Sequence, residues 1–194
     1  MHRQTTAIWR EMFRPPITRI VLLIALICVL AGCNSNDPPP KIVVPGPPLS
    51  GSINTLGWTG DGGKRNVFSD YRGKVLVLDF YATWCVPCRV SIPHLVGLQK
   101  KYESQGLQVI GLNVGGPEDL PKVPAFAAEF GIPYPLALPD DDLVMFLMAD
   151  HDAIPQTFVF DRQGKLAERL VGFGPSDAET IDKAVEAALQ APAQ

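Results

Sequence analysis

Val75-Leu76-Val77-Leu78-Asp79-Phe80-Tyr81-Ala82-Thr83-Trp84-Cys85-Val86-Pro87-Cys88 is the stretch that decides the fold of this chain. Its apolar half reads as a strand buried on both faces. Two cysteines three apart then sit at a strand-to-helix junction, with Pro87 suited to the first helical turn. A thiol at a helix N-terminus meets unpaired backbone N–H groups and the positive end of the helix dipole. The thiolate is the nucleophilic form, so this position makes Cys85 reactive near neutral pH. Cys88 lies about one turn on, close enough to close a disulfide. The segment therefore predicts dithiol/disulfide exchange. A purely structural bridge here would close a very small loop and stabilise little by chain entropy. A zinc site would want two further Cys or His ligands in a second close pair. Cys28 and Cys33 lie far upstream, and His94 and His151 stand alone. No metal and no cofactor is assigned.

The remaining pattern alternates strands and helices. A helix over Val86–Ser104 carries Ile92, Leu95, Val96 and Leu98, is kinked by Pro93 and is ended by Gly106. Leu107–Leu112 is the next strand. A second helix lies within Pro117–Gly131, with Phe126 and Phe130 on one face, and Tyr134–Leu138 is a short strand. Asp140, Asp141 and Asp142 start a helix reaching about Ala149, in which Met145 and Met148 read as core. Gln156–Phe160 and Lys165–Val171 form a hairpin around Asp161-Arg162-Gln163-Gly164. A last helix spans Ser176–Leu189, with Ser176 and Glu179 as a capping box. Gly-rich Ile53–Arg72 supplies one or two short edge strands. This order predicts an α/β domain, a mixed sheet with helices on both faces.

The first third differs. Arg3, Arg10, Arg14 and Arg19 precede an apolar run, Ile20–Leu30, that is too short to span a bilayer and fits the core of a secretory signal. The run ends in Leu30-Ala31-Gly32-Cys33, which resembles the lipobox of bacterial lipoproteins. That resemblance implies cleavage after residue 32 and lipidation of Cys33; the alternative is an uncleaved N-terminal anchor in which Cys33 is a bystander. Asn34, in place of Asp, favours the outer membrane over the inner. Residues 34–50 contain six prolines and read as a semi-extended tether. The organisation is thus a signal peptide at 1–32, the lipidated cysteine and tether at 33–50, a working domain at 51–190 and a tail at 191–194. Export places the domain where disulfides persist. Residues 33–194 carry 13 Lys and Arg against 19 Asp and Glu, a net charge of −6 that argues against a nucleic-acid partner.

Gly73 to Cys88, the Ile154-Pro155-Gln156-Thr157-Phe158-Val159-Phe160-Asp161 segment and Gly164 resemble the thioredoxin fold. Within it they resemble the TlpA/ResA group of membrane-tethered extracytoplasmic thiol-disulfide oxidoreductases. The helix near 118–131, inserted between central strands, is typical of that group. The resemblance implies Cys85 as nucleophile, Cys88 as resolving thiol and a redox-active Cys85–Cys88 disulfide. It implies that Asp79 relays a proton to or from Cys88, and that Pro155 is a cis-proline facing the cysteines. Ile154 would then offer its backbone to an extended substrate. Val86 and Pro87 set the thiol environment, and Trp84 and Phe80 pack around the site. Asp150-His151-Asp152 departs from the group, where a Gly-Val style segment is common. His151 reads as a surface or capping residue, with a proton shuttle as the sharper alternative. His94 reads as solvated.

A disulfide reductase is the leading function. It would take electrons from a membrane thiol donor and pass them to exported proteins, apocytochrome c among them. An oxidase or isomerase shares the chemistry and differs in reduction potential. A peroxidase would want one cysteine after a Thr at wider spacing than Thr83 offers. A metal chaperone would want nearby Met or paired His.

Overall fold

The computed structural model describes residues 53–192; the expected signal peptide, Cys33 and the tether lie outside the described residues. Val75–Tyr81 forms a strand, β3, in which every residue is buried. That is what an apolar run without alternation requires. Its neighbours cover both edges. Leu107–Asn113, β4, pairs parallel with it along its whole length, from Val75 opposite Leu107 to Tyr81 opposite Asn113. Gln156–Phe160, β6, pairs antiparallel, with Leu76 opposite Phe160 and Phe80 opposite Gln156. With β1 (Gly57–Thr59), β2 (Arg65–Val67), β5 (Leu136–Pro139) and β7 (Leu166–Val171) the sheet has seven strands in the order β2-β1-β5-β4-β3-β6-β7. The Gly-rich segment thus yields two short strands, an antiparallel hairpin that joins the sheet through β5.

Side chains alternate across β3 and feed two cores. Val75, Val77 and Tyr81 meet Ile92, Leu95, Val96 and Leu98 of helix α1 (Val86–Tyr102). Phe126 of helix α2 (Val123–Phe130) and Ile181, Val185 and Ala188 of helix α4 (Asp177–Gln190) complete that side. Leu76, Leu78 and Phe80 point the other way, onto Trp58, Phe68, Phe158, Phe160 and Leu143 and Leu147 of helix α3 (Asp141–Met148). Helices therefore cover both faces of a mixed sheet. Among the described residues no helix is long and apolar enough to cross a membrane.

Several local expectations need correction. Helix α2 is shorter than Pro117–Gly131: a 3-10 turn at Leu120–Lys122 precedes it, and the chain before that wraps around the buried Asp119 carboxylate. β5 starts at Leu136, not Tyr134, since Pro135 has no N–H for a ladder. Helix α4 has no capping box: Ser176 makes no side-chain cap, Glu179 binds Lys183, and Asp177 accepts the Gly174 N–H at 2.8 Å. Asp140 caps nothing either, because its carboxylate is held by Arg65. Met145 is exposed rather than core, while Met148 packs on the α3 side. Helix α1 runs on through Pro93 to Tyr102, and Gly106 turns the chain back at φ 95°.

Candidate functional site

The C-terminal end of β3 delivers Cys85 to the N-terminus of α1. Cys85 is the N-cap, and its Sγ accepts the Cys88 backbone N–H at 3.2 Å. A sulfur replaces the usual hydroxyl or carboxylate oxygen, so the orphan N–H groups of the first turn converge on the predicted nucleophile. Cys85 and Cys88 are joined as a disulfide, with Cα atoms 5.3 Å apart. Cys88 is fully buried, while Cys85 retains 4% exposure. Attack from outside therefore reaches Cys85 first. Pro87 stands exposed in the first turn, where its missing N–H costs nothing.

The Ile154–Pro155 bond is cis, and the Ile154 carbonyl oxygen lies 3.7 Å from Cys85 Sγ. The Ile154 N–H makes no hydrogen bond among the described residues. The loop before β6 thus presents one peptide edge beside the sulfur.

Asp79 is 1% exposed in the middle of β3, not at a solvated strand end. It shares the sheet face of Tyr81 and the cysteines, and accepts the Thr157 hydroxyl at 3.0 Å. Burial pushes its carboxyl up to about 7, and the Thr157 bond only partly offsets this. Burial also raises the Tyr81 and Tyr134 phenols, and the Asp79 charge raises both further. Both stay neutral, so Asp79 is the group here that changes charge near neutrality.

One expectation about packing fails, and it concerns Phe80. Trp84 and Val86, the chain neighbours of Cys85, are 61% and 71% exposed, and Val90 further along α1 is 60% exposed. Phe80 is buried on the opposite sheet face, edge-on to Phe158, and does not line the site. The period of two along β3 requires this, since Asp79 and Tyr81 face the cysteines. His151 caps its own loop, its Nδ1 accepting the Ala153 N–H at 3.2 Å. His94 is half-buried rather than solvated, beside the Phe173 ring and 3.2 Å from Asp182.

Two polar clusters at the site carry no sequence expectation. Asp119, 1% exposed, accepts the Thr83 N–H and the Asn113 amide, each at 2.8 Å, and also the Thr83 hydroxyl. Burial pushes its carboxyl up, but the two Thr83 bonds and the Asn113 bond outweigh it and hold the group below the usual range. Arg89 grips the other end of the same threonine, donating to the Thr83 carbonyl at 3.3 Å while stacking over Phe126 and Phe130. A Cβ on Gly115 would run into the Asp119 carboxylate, so Gly115-Gly116-Pro117 is the one local trace of this arrangement. On the other side Gln156 is fully buried and bonds the loop 150–155.

The family model described as "AhpC/TSA family" matches residues 52–169, and the chain belongs to that family. The chain is 34% identical over 110 residues to Thiol-disulfide oxidoreductase ResA of Geobacillus thermodenitrificans, covering 57% of this chain and 62% of that protein. It is 33% identical over 117 residues to Thiol:disulfide interchange protein HelX of Rhodobacter capsulatus, covering 60% of this chain and 62% of that protein. The chain thus spans about three fifths of the length of these curated relatives. A solved thiol:disulfide interchange protein of the thioredoxin family from Chlorobium tepidum TLS matches with a TM-score of 0.59 and 31% identity, over 71% of this chain and 96% of that one. The fold is thioredoxin-like, and the ResA and HelX matches support the ResA/TlpA group within the family.

Proposed function

We propose that this chain is an extracytoplasmic thiol-disulfide oxidoreductase that reduces disulfides of exported proteins. The observation that carries the reading is the placement of Cys85 Sγ: at the N-cap of α1, bonded by the Cys88 N–H and beside the free peptide edge of Ile154. In the reduced protein that N–H and the helix dipole favour the Cys85 thiolate. The thiolate attacks one sulfur of a client disulfide. A mixed disulfide forms and one client thiolate leaves. Cys88, losing its proton, then attacks Cys85 Sγ, which releases the second client thiol and yields the Cys85–Cys88 disulfide. Two electrons pass to the client. Asp79, with its carboxyl near 7, is suited to accept the Cys88 proton and return it when the pair is reduced again.

The reductive direction is favoured by Val86-Pro87, which puts no cation between the cysteines to stabilise the reduced form. A membrane thiol protein is the proposed electron donor, and apocytochrome c is among the proposed clients. We further propose anchoring by a lipid on Cys33, with residues 34–50 as a tether of up to roughly 50 Å at about 3 Å per residue and the outer membrane favoured over the inner. Peroxidase chemistry is disfavoured because the Thr83 hydroxyl is committed to Asp119.

A redox titration of the Cys85–Cys88 pair tests the direction. A potential near the roughly −270 mV of thioredoxin supports the reductase, and one near about −120 mV makes the protein an oxidant. A reduced protein that passes electrons to neither insulin nor dithionitrobenzoate would remove the oxidoreductase reading itself.

A further inference from the structure

We infer that Gln156 is a positioning residue that holds the Ile154 peptide edge for polypeptide clients and is dispensable for the sulfur chemistry. The inference deepens the reading above and rests on it. Gln156 has no exposure, and all of its polar reach is spent. Its amide Nε2 donates to the His151 carbonyl at 2.7 Å and the Ala153 carbonyl at 3.0 Å. Its Oε1 accepts from Arg169 Nη2 at 2.9 Å. Arg169 is itself fixed. Its guanidinium binds the Asp150 carboxylate bidentately at 2.7 and 2.9 Å and lies over the Phe158 ring at 5.3 Å. One side chain therefore gathers both ends of the Asp150–Ala153 turn from inside, through two carbonyls and through the cation that grips Asp150.

Two facts give this knot a purpose. The turn is exposed and largely polar, and its one apolar side chain, the Ala153 methyl, is itself exposed and seats nothing before Ile154. Yet Ile154 must be seated, because its carbonyl lies 3.7 Å from Cys85 Sγ and its N–H is free to pair. The partners are also asymmetric. A neutral amide donates twice and accepts once, which neither Glu nor Leu does. Nothing in this knot bonds to Cys85 or Cys88. Gln156 consequently acts on substrates that read the peptide edge and not on the attack by Cys85.

The experiment compares Gln156→Leu with the parent protein on two oxidants: insulin, which can pair along Ile154, and dithionitrobenzoate, which has no peptide group. The expected result is a loss of about tenfold in kcat/KM for insulin, carried mainly by KM, with the dithionitrobenzoate rate within about twofold. Asp150→Asn, at the exposed end of the knot, should show the same selective loss at about two- to threefold, and it decides the matter if Gln156→Leu does not fold. A parallel fall on both oxidants, or no change on either, overturns the inference while leaving the oxidoreductase reading intact. A parent protein inert to both oxidants overturns that earlier reading, and the inference with it.

Discussion

Replacing Asp79 by Asn should make the stability of this protein less dependent on pH by an amount that follows from its burial. The carboxyl is pushed from 3.8 up to about 7 in the folded chain. Between those values the folded state holds a proton that the unfolded state has released, so stability falls as pH rises through the window and is lowest above about 7. At about 1.36 kcal/mol per pH unit the full penalty is roughly 4 kcal/mol, of which about 2.5 kcal/mol develops between pH 5 and pH 8. A carboxamide at this position does not titrate. The variant should therefore gain about 2.5 kcal/mol on the parent over that interval, whatever fixed cost the amide incurs beside Thr157. Urea unfolding of both proteins in their disulfide form reads this directly. With an m-value of about 2 kcal/mol/M, the difference between their midpoints should move by about 1 M from pH 5 to pH 8. A difference that stays constant across the interval would mean that Asp79 does not titrate there. The proton relay would fall with it, since a group ionised throughout cannot take up the Cys88 proton.

Asp119→Ala should cost about 3 kcal/mol in urea unfolding, because it strands the buried Thr83 N–H and Asn113 amide. Gly115→Ala should reproduce part of that loss by driving the same carboxylate away, and an unaltered midpoint in both would show that Thr83 finds other partners. In the reduced protein, iodoacetamide at pH 7 should label Cys85 and leave Cys88 untouched, since Cys88 is wholly buried. Mass spectrometry finding Cys88 labelled first would reverse the two roles.

What the sequence makes legible here is local. The run Val75–Phe80, the cysteine spacing and the Asp161–Gly164 turn each carry their meaning within a few residues, and all three stand where they were expected. The cis bond between Ile154 and Pro155 and the burial of Asp79 also agree with the expected arrangement. The failures have another origin. Phe80 reads as part of the site because it lies close to Cys85 in the chain, but the alternation along β3 turns it to the opposite sheet face, against Phe158. Ser176 and Glu179 have the spacing of a capping box, yet Glu179 pairs with Lys183 and Asp177 takes the Gly174 N–H. Asp119 and Gln156 could not be read at all. A polar residue in a loop or at a strand start looks solvated until chains 36 residues away at Thr83 or 13 away at Arg169 close over it.

Those two residues belong to a concentration of buried polarity near Cys85. Asp79, Thr83, Asn113, Asp119, Gln156 and Thr157 are all buried in the half of the sheet nearer the disulfide or in the loops that leave it. Burying a polar group without a partner costs stability, and even a well-bonded one gains little over an apolar residue of the same shape. Stability alone would therefore not select such a cluster. Its geometry offers a different reason. Asp119 fixes the backbone that enters Cys85 from β3, and Gln156 fixes the backbone that enters Pro155 from α3. The two chains meet where Cys85 Sγ lies against the Ile154 carbonyl. A sulfur that must be reached by another protein's disulfide is held between two loops, and loops keep a fixed separation only when something inside them is bonded. The buried polar groups are what makes that separation a property of the fold.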